Sequence, residues 1–144
     1  MLFSAPTEYA IRALIYLASP ERQAPISVTD IAQNTGIPSM FLAKILITLK
    51  KHHLLKSNRG PGGGYRLGKP PDQIRLAHIV RAIEPAIHGP RKCVLGLDIC
   101  SDEHPCPLHF EWKSFREEFD NKIHQLTIAE LHQKLGEKRA HLKG

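Results

Sequence analysis

The stretch SVTDIAQNTGIPSMFLAKILITLKKHHLL, Ser27–Leu55, decides how the rest of this chain is read. Val28, Ile31 and Ala32 recur at helical spacing behind Ser27 and Thr29, either of which can cap a short helix running through Gln33. Gly36 stands where the chain must turn sharply. Pro38 suits the opening turn of a second helix, where its missing N–H costs little. That helix is expected to reach about His52, with Phe41, Leu42, Ile45, Leu46 and Leu49 as its buried stripe. A short helix, a glycine turn and a second helix make the layout of a helix-turn-helix.

Upstream, Ala10, Ile11, Leu14, Ile15 and Ala18 keep helical spacing from Thr7 until Pro20 ends the element. Glu8 and Arg12 interrupt its apolar part and no basic segment precedes it, so it reads as a helix of the folded domain and not a secretory leader. Downstream, Leu54–Ser57 and Tyr65–Leu67 read as two short strands joined by the glycine-rich Asn58–Gly64, with Arg59 and Arg66 at its two bases. GPGGG is not followed by Lys-Ser/Thr and opens no helix, which excludes a nucleotide phosphate loop. A hairpin directly after a helix-turn-helix is a wing, placed to lie along a sugar-phosphate backbone or reach into a minor groove.

Leu76–Glu84 follows as an amphipathic helix that Pro85 stops. From about Pro107, Leu108, Trp112, Phe115, Phe119, Ile123 and Leu126 are spaced by three or four, a heptad-like seam on an otherwise charged helix. Their bulk favours a homodimer contact over packing within the chain alone. Thr127-x-x-Glu130 is a capping box for one last short helix, with a frayed tail beyond it. The expected fold is mainly α with a small β-hairpin wing. A winged helix-turn-helix domain (1–84) leads through an irregular loop (85–106) to a long C-terminal dimerisation helix and a short one (107–144).

The chain has 144 residues, 42% hydrophobic, enough for one cored domain with an appended helix. No apolar run approaches the ~20 residues that span a bilayer, so a cytoplasmic protein with no membrane role is expected. The formal charge of +6 is concentrated: residues 1–75 carry ten Lys/Arg against four Asp/Glu, and residues 76–144 carry ten of each. Between Asp30 and Asp72 no acid occurs, while Lys44, Lys50, Lys51, Lys56, Arg59, Arg66 and Lys69 do. A one-sign interval of this kind points to an anionic partner, here double-stranded DNA. Ser39, Met40, Ala43 and Lys44 near the start of the second helix would meet base edges. Lys50 and Lys51, together with the wing residues Arg59, Gly60, Gly62, Gly63, Tyr65 and Arg66, would track the backbone. A dimer would set two such modules about 34 Å apart on a pseudo-palindromic operator.

All three cysteines fall in CVLGLDICSDEHPCPLHFEW, Cys93–Trp112. Cys93, Cys100 and Cys106 are separated by six and five residues, wider than the close pairs of structural zinc sites. Thiolates spread along a loop can instead wrap an iron–sulfur cluster, with histidine or carboxylate replacing one. Zinc and direct thiol oxidation stay open as alternatives. An enzyme with a cysteine nucleophile has only Cys106 beside His109 or His104 to offer and no oxyanion element, so no enzyme is expected.

EYAIRAL, IA…GIP..FLAKIL..L, RGPGGGY and C…C…C..H..W occur in that order over nearly the whole chain, and together they resemble the Rrf-type family of winged-helix transcriptional regulators, which includes iron–sulfur sensors such as IscR and NsrR. The resemblance implies a homodimer built on the long C-terminal helices, with a cluster near the dimer interface that tunes operator binding as a redox sensor. It implies Cys93, Cys100 and Cys106 as ligands. His109, three residues after the last cysteine, is the expected fourth ligand of a 2Fe-2S cluster; Glu8 of the other subunit is the alternative ligand, and 4Fe-4S the alternative cluster. Six residues between the first two cysteines and Ala43, where members often carry Glu, depart from the IscR-like pattern and bear on cluster type and operator sequence.

Overall fold

The computed structural model describes residues 3–84, 93–97 and 99–143, with side chains described as far as residue 135. The loop expected over 85–106 therefore lies partly outside the described residues, at 85–92 and 98. Helix α1, Ala5–Leu17, is capped by Ser4, whose hydroxyl accepts the Thr7 N–H, and has Pro6 in its first turn. Ala10, Ala13, Leu14 and Leu17 form its buried stripe. Helix α2, Val28–Thr35, is capped by Ser27, which accepts the Asp30 N–H. Gly36 ends it in the left-handed region at φ +70°, donating its N–H to the Ala32 carbonyl, a conformation that costs a β-carbon-bearing residue far more.

Pro38 sits just before helix α3, Ser39–Lys51, and its carbonyl accepts the first turn's Leu42 N–H at 3.0 Å. Leu42, Ile45, Leu46 and Leu49 are buried against α1 and α2. Phe41, expected in that stripe, is 60% exposed. It stands about 100° around the helix from Leu42, off the face that the i, i+3, i+4, i+7 set turns inward. Strands β1, Leu55–Asn58, and β2, Gly64–Leu67, pair antiparallel in the register Leu55↔Leu67 through Asn58↔Gly64. Two further hydrogen bonds, Ile26 N–H to Tyr65 O at 2.9 Å and Tyr65 N–H to Ile26 O at 2.8 Å, fasten the hairpin to the segment before α2.

A 3-10 turn at Pro71–Gln73 leads into helix α4, Leu76–Ile83. Helix α5 is His109–Gln125 and helix α6 is Ile128–Lys143. The capping box forms as expected: Thr127 N–H donates to the Glu130 carboxylate, and Glu130 N–H to the Thr127 hydroxyl. The helix it starts is not short. Sixteen residues rich in Ala, Leu, Lys and Glu sustain it, and one internal glycine, costing about 1 kcal/mol, does not stop it. Ile128 is fully buried in the main core beside Ile74 and Leu131, and its N–H bonds the Ile74 carbonyl, so α6 returns to the winged-helix core. A smaller cluster of Leu76, Ala77, Val80 and Ile123, flanked by Phe3, Phe119 and Leu126, joins α4 to α5.

Candidate nucleic-acid interface and cysteine loop

Helix α3 turns Ser39, Met40, Lys44, Ile47, Lys50 and Lys51 to solvent, with Ala43 half-buried among them. Met40 is 80% exposed, Phe41 60% and Ile47 48%. Among the described residues, none of Lys44, Lys50, Lys51, Arg59 and Arg66 has an ion-pair partner. Their charge is available to phosphates. Phe41 and Lys44 also border a cleft of about 340 Å³ with Pro6, Tyr9, Ile45, Thr48 and Ile83, between α3 and the start of α1.

At the wing tip Gly60 and Gly62 take φ of +86° and +74°, so the turn itself demands glycine. Gly64 is constrained more tightly: a β-carbon there would lie 2.2 Å from the Ile26 carbonyl oxygen, across the contact that fastens the wing. Arg59 and Arg66 are exposed on this hairpin, while Gly63 in its tip turn and Tyr65 in β2 are half-buried. The residues expected to touch DNA thus lie on two elements, α3 and the wing, and most of them are exposed.

The cysteine loop brings together two of its three thiols. The Sγ atoms of Cys93 and Cys106 lie 4.0 Å apart, and all three cysteines are half-buried. Metal–sulfur bonds of about 2.3 Å at a tetrahedral angle set paired sulfurs about 3.8 Å apart, so this pair fits two thiolates on one metal atom. Among the described residues, no three His, Cys, Asp or Glu side chains converge as a complete metal site. Cys100 therefore does not complete a set with that pair, and neither do His109 and Glu8.

His109 is not the surface histidine that its place early in a helix implies. It is 3% exposed, its backbone N–H donates to the Cys106 carbonyl at 3.0 Å, and its Nε2 lies 2.6 Å from Asp102 Oδ1. Lys113 Nζ donates to Asp102 Oδ2 at 2.8 Å. The hydrogen bonds from Lys113 and then His109 push the Asp102 carboxyl down to about 2, so it stays ionised. With Nε2 committed to Asp102, the ring's other nitrogen, Nδ1, is the one that could ligate. Glu8, half-exposed in the first turn of α1, is held through its N–H on the Ser4 carbonyl.

Sequence reasoning passed over Asp102, Lys113 and Glu84. Glu84 closes the end of α4 onto the start of α1: its Oε1 accepts the Ser4 N–H at 2.7 Å and the hydroxyl of fully buried Thr7 at 2.6 Å. Burial raises its pKa, but the Ser4 and Thr7 hydrogen bonds outweigh it and the net shift is downward. No periodic pattern links residues 80 apart, so the only available signal was an acid at the end of an apolar helix, where the dipole disfavours it.

The aromatic seam divides. Phe119, Ile123 and Leu126 pack on α4 within the chain. Leu108 and Phe115 are largely exposed, and Trp112 stacks on Phe115 at a centroid distance of 5.6 Å. Trp112 Nε1 and Arg116 Nε are buried with no hydrogen-bond partner among the described residues. Such donors are rare in a finished interior.

A winged helix-turn-helix followed by a three-cysteine loop and a long helix is therefore on hand. The Rrf2 family model, described as an iron-dependent transcriptional regulator, matches residues 3–134. This chain belongs to the Rrf2 family. An HTH-type transcriptional regulator of Haemophilus influenzae is 34% identical over 139 residues, covering 96% of this chain and 91% of the relative. The HTH-type regulator IscR of Erwinia tasmaniensis is 30% identical over 131 residues, covering 91% of this chain and 78% of IscR. Among solved structures, CymR, the global cysteine regulator of B. subtilis, superposes with a TM-score of 0.76 at 28% identity, over 93% of this chain and 98% of CymR. IscR of T. potens shares the fold with a TM-score of 0.72 at 22% identity, over 94% of this chain and 88% of that one. Rrf2 proteins are transcriptional regulators, and this chain is a regulator and not an enzyme. Among the described residues no helix is long and apolar enough to cross a membrane.

Proposed function

We propose that this Rrf2 protein is a homodimer that binds a pseudo-palindromic stretch of double-stranded DNA, and that an iron–sulfur cluster held by Cys93, Cys100 and Cys106 sets its affinity. The observation that carries the reading is the Cys93–Cys106 pair at 4.0 Å, whose second member is bonded through its carbonyl to the first turn of α5. The family description as iron-dependent and the likeness to IscR support iron over zinc. His109 is the fourth ligand we favour, on a 2Fe-2S cluster, because the Asp102 contact holds its ring in one orientation; Glu8 of the second protomer and a 4Fe-4S cluster are the alternative. When bound, such a group supplies an oxidisable, thiolate-anchored centre.

The chain's own residues transmit its presence. The loop ends on α5, α5 packs on α4 through Ile123, and Glu84 at the end of α4 bonds the start of α1, which packs on α3. Fixing Cys93 and Cys106 fixes where α5 begins, and so the attitude of two recognition helices across a dimer. Leu108, Trp112 and Phe115 carry that dimer contact, and a second copy would cover the exposed Leu108 side chain and Phe115 ring.

The test is the visible absorption spectrum of anaerobically purified protein, with iron, acid-labile sulfide and zinc assayed on one sample. Colour with iron and sulfide in matching amounts is expected. A colourless protein with stoichiometric zinc would replace this reading by a zinc-stabilised regulator, and a metal-free protein that resists reconstitution by a thiol-redox one, the arrangement for which the CymR likeness leaves room.

A further inference from the structure

The geometry points to a second use of the same loop, resting on the reading above but not on which metal the thiolates take: in the metal-free protein, Cys93 and Cys106 form an intramolecular disulfide under peroxide, and that bond bars the loop from loading. Three observations carry it. The two sulfurs are already 4.0 Å apart, and closing to the bonded distance of about 2.0 Å needs only a small movement of a loop. The thiols are half-buried and not sealed in a core, so a small oxidant reaches them. Among the described residues beside Cys93, Val94, Leu95 and Leu97 are exposed and Gly96 takes φ +72°, so these neighbours do not resist the movement by packing.

The chemistry balances with a hydroperoxide as oxidant. One thiolate attacks the peroxide, forming an S–O bond, breaking O–O and releasing hydroxide. The second thiolate attacks the sulfenic sulfur, forming S–S, breaking S–O and releasing another hydroxide. The protons of the two thiols convert both to water, and the two electrons end on the former peroxide oxygens. The product removes two of three thiolate ligands together. It also ties the start of the loop to the residue whose carbonyl receives the His109 N–H, locking the entry to α5. Peroxide thereby does more than strip a metal: it leaves a state that stays unloaded until a thiol reductant reopens it.

The full-length protein is freed of metal with a chelator under reductant, exchanged into anaerobic buffer and given stoichiometric hydrogen peroxide. After alkylation it is cleaved at acidic residues, because Asp98, Asp102 and Glu103 part the three cysteines whereas trypsin leaves them on one peptide. The expected product is a Cys93–Cys106 cross-link, two hydrogen masses lighter, with alkylated Cys100, and reversible by thiol. Cys100→Ser gives the same cross-link at a rate within about twofold of the parent; circular dichroism confirms that this variant is folded. A cross-link that includes Cys100, one between chains, or sulfinate without any cross-link overturns the pairing. In a second arm, oxidised and reduced samples are reconstituted with iron and sulfide. Uptake by the oxidised sample is expected to fall at least about tenfold and to return on reduction. Equal uptake overturns the block. If the reduced sample takes up neither iron nor sulfide, the cluster reading fails, and the cross-link result still judges the pairing.

Discussion

The winged-helix half of the molecule and the segment running from Cys93 into α5 are finished to different degrees. In the first, α1 to α4 with the start of α6 bury Leu14, Ile31, Leu42, Leu46, Ile79 and Ile128 completely, and hydrogen bonds fasten the wing, the caps and the α1–α4 junction. In the second, α5 buries only His109 and Ile123, Phe110 and Phe115 stand in solvent, and two buried donors have no partner among the described residues. The same chain thus encodes one part complete in itself and one whose surfaces await something. A regulator needs that asymmetry: a rigid reading head, and a segment whose state depends on what binds it.

The contrast breaks most easily at its strongest point. Leu46→Ala is expected to cost about 2–5 kcal/mol in denaturant unfolding, because the deleted atoms leave a cavity in the first half. Phe115→Ala should cost under about 1 kcal/mol in the same assay at dilution, yet weaken self-association measured by sedimentation. Equal losses would mean that the seam is core and not interface. Gly64→Ala sharpens the account of the wing: its β-carbon meets the Ile26 carbonyl, so a loss of more than about 1 kcal/mol and weakened DNA binding are expected. Unchanged binding would detach the wing from the DNA.

A second pair of variants tests the basic residues of α3 and the wing. Lys44→Ala and Arg59→Ala should each lower the slope of log affinity against log salt by about one per protomer if the residue neutralises a phosphate. No change in slope would assign the lost affinity to shape or base contacts. The smallest effect is at the α1–α4 junction. Glu84 has a depressed folded pKa, so its contribution is present above its ordinary value of 4.5 and lost as pH falls through the lower folded value. Glu84→Gln should therefore lower stability at neutral pH, where the carboxylate's contribution is present, and flatten the acid limb of stability against pH below about 4.5. A variant with an unaltered acid limb would remove Glu84 from the junction.

How much of this was legible in the sequence depends on the range of the interaction. Ser27, Gly36 and Pro38 act on their immediate neighbours, and the helix-turn-helix formed where they placed it. The Thr127–Glu130 box also marked its helix start, but nothing local marked the end, and favourable propensities carried α6 to Lys143. Phe41 was misplaced because its size argued for burial, whereas one position of helical phase argued against it. The candidate site was legible as a residue list and not as an arrangement. The clustering of Cys93, Cys100 and Cys106 in one window drew attention to them and the family resemblance to His109, but the Cys93–Cys106 approach and the Asp102–His109 contact arise from how an irregular loop folds back, which no period records. Glu84, bonding Thr7 from 77 residues away, lay beyond any pattern.

The most direct test of the central claim is the affinity for a DNA site, selected from random duplexes, of one protein preparation in two states: loaded anaerobically with iron and sulfide, and stripped. At fixed salt the account expects the two affinities to differ by about five- to a hundredfold, and expects Cys93→Ala to bind equally with and without iron and sulfide. Identical affinities for the loaded and stripped parent would contradict it, because the loop would then hold its metal without speaking to α3.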